Sequence, residues 1–161
     1  MLYLFAGMVL TPLVLNWIAS KHDFARFADA FALSTMIVVF WCITNTMGML
    51  LEPPASKALH PLIDFFGGAS CMWLYRHNKD RWKAVLAVLF FAQCGLHAWF
   101  WYEHLVSPNT SVYRPYQFAV NISWTAEVLL LTLPGGGFVS RLALDWLRHR
   151  VGSHHHPGIA R

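Results

Sequence analysis

The sequence predicts an all-α integral membrane protein: a bundle of five transmembrane helices followed by a C-terminal amphipathic helix lying in the membrane surface. Three observations predict it. Of 161 residues, 57% are hydrophobic and 12% charged, half the charged share of an ordinary soluble domain, and the mean hydropathy is +0.43. A soluble core of this size could not hide so much apolar surface. The central stretch Trp82 to Tyr102 carries one charge at its start and only Gln93 and His97 as further polar groups of note. As an α-helix at ~1.5 Å per residue it spans ~30 Å, the thickness of a bilayer's hydrocarbon core. Trp82 opens it and Trp99, Trp101 and Tyr102 close it, the positions that amphipathic rings take at the two interfaces.

The remaining elements follow in order. The first helix runs from about Leu2 to Ser20 around Pro12, a proline that neighbouring helices make tolerable in a membrane. The N-terminus has neither a positive n-region nor a small-residue cleavage site, so it reads as a retained helix and not a signal peptide. After the polar turn Lys21, His22, Asp23 and Arg26, a second helix runs from about Phe27 to Leu51 and ends at Glu52-Pro53-Pro54. The third, Ala58 to Tyr75, carries His60, Asp64 and the small run Gly67-Gly68-Ala69-Ser70. That run suits close helix packing, either inside the bundle or at an oligomer seam. The central helix follows, and then the loop Glu103 to Pro115, where Asn109-Thr110-Ser111 matches a glycosylation acceptor.

The fifth helix, Tyr116 to Leu133, is expected to stop at Pro134-Gly135-Gly136-Gly137. Beyond it, Val139, Leu142, Ala143, Trp146 and Leu147 fall at helical spacing in the amphipathic segment Phe138 to Val151. The chain thus divides into a bundle at 1–137, an interfacial helix at 138–151 and a loose tail at 152–161. Four spans are the alternative, with the third or fifth helix re-entrant.

Lysine and arginine set the orientation. Lys21, Arg26, Arg76, Lys79, Arg81, Lys83, Arg141, Arg148, Arg150 and Arg161 fall in one set of alternate loops, and only Lys57 and Arg114 in the other. Ten against two places the N-terminus outside and the C-terminus in the cytoplasm. The net charge of +4 is met by anionic lipid headgroups, because the basic residues form no continuous face for nucleic acid. Cys42, Cys71 and Cys94 lie in apolar runs without a CxxC pair and read as small core residues. His154-His155-His156 in the tail lacks the spacing of a metal site.

Ionisable residues in a span are costly and turn toward partners or a water-filled cavity. Counted from the outer end of each helix at ~1.5 Å per residue, Asp64 and Asn45 lie ~9 Å deep and His97 and Asn121 ~8 Å deep. Four helices thus offer polar side chains at one level. His60 stands one turn outward from Asp64, and Gln93, His97, Phe100 and His104 form one stripe of the central helix. Glu127 lies near mid-membrane with Ser123 on its face, to pair with Ser123 or Gln93 or to face a pore between subunits.

Three readings of this cluster are open. Interhelical hydrogen bonds hold the bundle together, at about 0.6 to 2 kcal/mol each. Asp64 and His97 form a proton-sensitive or ion-coordinating pair. Or His60 and His97 are axial ligands of a haem, with His97 alone holding a chlorophyll-type ring as a variant. There is no nucleophile elbow, phosphate-cradling glycine loop, HExxH or paired metal-ligand motif, which counts against an enzyme without excluding a site assembled from distant residues.

The run His60-Pro61, Asp64, Trp73, Trp82-Lys83, Gln93, His97, Phe100-Trp101, Asn121 and Pro134-Gly135-Gly136 resembles that of small uncharacterised membrane proteins encoded by bacterial phages and prophages, over Ala58 to Gly137. The resemblance implies a bacterial inner-membrane location and a holin-like pore former or structural component, although holins typically have fewer spans than five. The expected function is therefore non-enzymatic and works by assembly, with itself or as a small subunit of a membrane complex. The alternative is a haem- or chlorophyll-binding subunit in electron transfer or light capture.

Overall fold

The computed structural model describes residues 2–51, 59–106 and 113–153, and these form five α-helices. They are α1 (Leu2–His22), α2 (Phe24–Leu50), α3 (His60–Asn78), α4 (Arg81–Val106) and α5 (Tyr113–Ser153). The Asn109 acceptor, Lys57 and the three-histidine run lie outside the described residues.

Local chemistry sets the helix ends. Only Asp23 separates α1 from α2; its carboxylate accepts from the Arg26 backbone N–H at 3.2 Å and caps α2. Pro61 sits in the first turn of α3, where its missing N–H is no loss. Lys79 closes α3 in the left-handed conformation at φ 59°, its N–H bonded to the Tyr75 carbonyl at 2.8 Å.

In the bundle α4 packs between α3 and α5, α5 packs on α1, and α1 packs on α2, which closes more loosely onto α3 and α5. Val9, Leu33, Ile37, Cys71, Leu86, Ala87, Phe90 and Leu131 form the central cluster. Around it the usual polarity is inverted. The interior holds Asn16, Ser34, Asp64, Lys83, Gln93, His97 and Glu127, while Met49, Leu50, Phe66, Trp73, Val88, Phe118, Leu129 and Leu133 face outward. Oily side chains outside and ionisable ones inside are what lipid as a solvent selects. Three helical segments are long and apolar enough to cross a bilayer: Phe24–Leu50, Arg81–Glu103 and Arg114–Arg150. The sequence took all five helices as spans; length and composition single out these three among the described residues.

The glycines of α3 are used inside the bundle. A Cβ on Gly67 would lie 2.8 Å from the Phe90 ring, and one on Gly68 2.8 Å from the Phe91 ring. The pair lets α4 press its aromatics onto the α3 backbone. Of the cysteines expected in the core only Cys71 is buried; Cys94 is half-buried and Cys42 exposed.

The largest correction concerns α5. The break expected at Pro134-Gly135-Gly136-Gly137 is absent, and one helix of 41 residues runs through it. Residues 138–151 continue that helix in place of a separate element, and 152–153 belong to it as well. Proline removes one rung of the ladder, and side chains of neighbouring helices can satisfy the carbonyls around it. Here Asn16 on α1 donates its side-chain N–H to the Leu131 carbonyl at 2.9 Å and to Ser34 Oγ at 2.8 Å. Gly135 admits α1 at this level: a Cβ there would lie 2.6 Å from the Leu15 carbonyl carbon.

Candidate functional site

The two ends of the bundle differ. At the basic end, near the α1–α2 and α3–α4 turns, the buried Lys83 Nζ contacts Asp29 Oδ2 and lies 3.0 Å from Asp80 Oδ2, while Asn78 Nδ2 donates to Asp29 at 2.7 Å. Lys83 is 1% exposed, so this cation, counted above with a loop cluster, ties α2 to α4.

The candidate site lies toward the opposite end. A cavity of about 220 Å³ opens where α2 leans away from α3 and α5. Its walls include His60 and Asp64 from α3, Gln93 and His97 from α4, and Asn121 and Glu127 from α5, with Thr44, Trp41 and Trp124 beside them. Helical periodicity brings the α4 groups in: Gln93, His97 and Phe100 are all buried on one face. The His104 side chain lies outside the described residues.

A chain of polar contacts crosses three helices. Asp64 Oδ2 is 3.1 Å from His97 Nε2, and His97 Nδ1 is 2.6 Å from the Tyr116 hydroxyl. Asp64 Oδ2 makes no aligned hydrogen bond, so its contact with the imidazole is an approach of opposite polarity without hydrogen-bond geometry. Tyr116 is held in turn by stacking on Phe100, with ring centroids 4.2 Å apart. The ring nitrogens of His97 therefore have a carboxylate on one side and a phenol on the other. A neutral ring protonated at Nε2 accepts from Tyr116 at Nδ1; a charged ring donates at both. One turn along α4 from His97, Gln93 Nε2 donates to Glu127 Oε1 at 2.9 Å, both residues buried. Of the partners considered for Glu127 the structure shows Gln93, while Ser123 Oγ is buried without a hydrogen bond.

Of the seven predicted cluster residues, Asn45 is the one that stays apart. Its amide donates to the Trp41 carbonyl on its own helix at 2.8 Å, and the neighbouring Thr44 reaches the cavity wall instead. Asn121 reaches the wall from an exposed position. Tyr116, Trp41 and Trp124 were not singled out from the sequence. Depth counted along Cα positions ignores how far a phenol reaches inward, and Tyr116 read only as the first residue of a helix.

A haem does not fit these residues. The His60 and His97 rings are 5.1 Å apart between centroids and tilted by 44°, which leaves no room for a macrocycle with an iron between them. Tyr116 occupies the Nδ1 side of His97, and Asp64 faces its Nε2 side. Among the described residues no three His, Cys, Asp or Glu side chains converge as a metal set. The cavity sets these polar side chains in a wall otherwise built of Ile, Phe, Val and Trp, and it is large enough for several water molecules. No protein family, curated protein or solved structure matches this chain.

Proposed function

We propose that this chain is a five-span, non-enzymatic protein of a bacterial inner membrane, N-terminus outside and C-terminus cytoplasmic, whose working part is a proton-responsive cavity in its outer half. The observation that carries the reading is the Asp64–His97–Tyr116 series, each member on a different helix, with Asp64 and His97 on the wall of the cavity. Imidazole can carry one N–H or two, and each state of His97 asks something different of Asp64 and Tyr116. A proton gained or lost there alters contacts among α3, α4 and α5 together. The lengths of α1 and α3, 21 and 19 residues, support five spans at ~1.5 Å per residue. The ten-to-two distribution of Lys and Arg supports the orientation.

Trp41 and Trp124 on the cavity wall supply the readout. Tryptophan emission of the protein in lipid nanodiscs is expected to change with pH, and His97→Gln to abolish that change while keeping the helical melting transition. A titration that persists in His97→Gln sinks the proposal. Loss of the folded bundle in that variant would instead assign His97 a structural role.

A second reading, a small subunit of a larger membrane complex, is favoured by one observation. Residues 140–150 of α5 are exposed along their length, with Leu142, Leu144, Trp146 and Leu147 uncovered. Truncation after Ser140 should abolish cross-linked higher-mass species in membranes and leave the melting of the bundle unchanged. The holin-like form asks more, a polar strip on the outside to line a pore, and dye leakage from vesicles is its test.

A further inference from the structure

A second cavity, of about 360 Å³, lies at the basic end between α2, the start of α4 and the Leu133–Arg141 part of α5. Its wall changes character with depth. Arg26, Arg141 and Trp82 all line it, and Leu133 lies about two helical turns along α5 from Arg141. Charge is unevenly settled here. Lys83 nearby meets two carboxylates, and Asp80, the acidic group at this cavity, lies 3.0 Å from Lys83 Nζ. Among the described residues neither Arg26 nor Arg141 meets a carboxylate; the Arg26 guanidinium lies over the Phe27 ring, 5.4 Å from its centroid.

The glycine run explains part of the hollow. Gly135 is required by the approach of α1, but a Cβ on Gly137 would meet nothing within 4 Å. Glycine inside a helix costs stability relative to alanine, and no neighbour of Gly137 demands it. What its bare backbone leaves is room on the cavity wall. A soluble anion would use the two guanidiniums alone, whereas an occupant with a charged head and an apolar body uses both levels.

We propose that this cavity binds one anionic phospholipid, its phosphate between Arg26 and Arg141 and the first part of an acyl chain against Leu133, Gly137 and Phe138. Guanidinium is the side chain best shaped for phosphate oxygens, and Trp82 stands at the level where indole rings meet headgroups. The site is independent of the Asp64–His97–Tyr116 series and requires only that the bundle sit in a membrane.

Native mass spectrometry of the full chain released from detergent tests it, with phosphatidylglycerol and phosphatidylcholine added at equal concentration. Wild type should retain phosphatidylglycerol in preference by on the order of twentyfold, roughly fivefold for each guanidinium. Arg26→Gln with Arg141→Gln should bring the preference near unity, and Gly137→Leu should reduce retained phosphatidylglycerol at least about fivefold by filling the wall. Arg76→Gln with Arg81→Gln, a basic pair at the same end of the bundle that does not line the cavity, should leave the preference in place. Persistence of the preference without Arg26 and Arg141, or its loss with Arg76 and Arg81, overturns the assignment. So does displacement of the lipid by inorganic phosphate at comparable concentration, which would make this a site for a soluble anion. Should Gly137→Leu fail to fold, the two arginine pairs alone decide.

Discussion

At the basic end a buried ammonium is met by the carboxylates of Asp29 and Asp80, and Asn78 supports Asp29. At the cavity end the carboxyl groups of Asp64 and Glu127 are met by His97 and Gln93, and no lysine or arginine lines the cavity. Opposite full charges held together form a staple between helices. Neutral donors and an imidazole beside a hollow make no such staple. One chain thus uses buried polarity in two ways: as an ion-pair staple where α2 meets α4 and, in the proposed function, as an adjustable set where α3, α4 and α5 converge.

The comparison can be broken first at Lys83. Lys83→Met should destabilise the bundle by on the order of 3 kcal/mol, because it strands Asp29 against α4 without its cation. Asp29→Asn added to it should return at least half of that loss, both measured by thermal melting in the same detergent. If Lys83→Met melts like wild type, the staple is not one. Gly135→Ala tests the α1–α5 crossing beside this end. Its methyl would be driven against the Leu15 backbone, and about 1–3 kcal/mol is the expected loss. At the cavity end, Glu127→Leu leaves the Gln93 amide buried without its acceptor, for about 1–3 kcal/mol, and Glu127→Gln should cost less because an amide oxygen still accepts.

The smallest stability effect is expected at Tyr116. Tyr116→Phe keeps the stack on Phe100 and removes one hydrogen bond to His97, for about 1 kcal/mol. Its larger consequence should be a displaced midpoint of the tryptophan titration. An unmoved midpoint would take Tyr116 out of the responsive unit and narrow it to Asp64 and His97.

Much of this was legible in the sequence because lipid punishes stray polarity. Counting depth along helices put Asp64, His97 and Asn121 at one level, and the structure gathers all three around one cavity. What the count lacked was rotational phase. Asn45 sits at the same depth, yet its amide turns back to its own helix. Asn16, Asp29 and Tyr116 were passed over for a related reason: their partners lie 115, 54 and 19 residues away in sequence, and only the crossing of helices shows who meets whom. Pro134-Gly135-Gly136-Gly137 misled because proline and glycine end helices in water. Between apolar neighbours, with Asn16 reaching the Leu131 carbonyl, the helix has more to lose by stopping.

That uninterrupted α5 is about 60 Å long at ~1.5 Å per residue, and α1 grips it at Gly135, slightly past its middle. A beam pinned there behaves as a seesaw with arms of about 30 Å on either side. Tilting at Tyr116 would be returned with reversed sign and roughly 0.6 of the amplitude at Trp146, on the far side of the pivot. Label-to-label distances between Arg150 and Lys79, followed through the pH titration, would register that swing, and a constant separation would mean the beam bends at Pro134 instead.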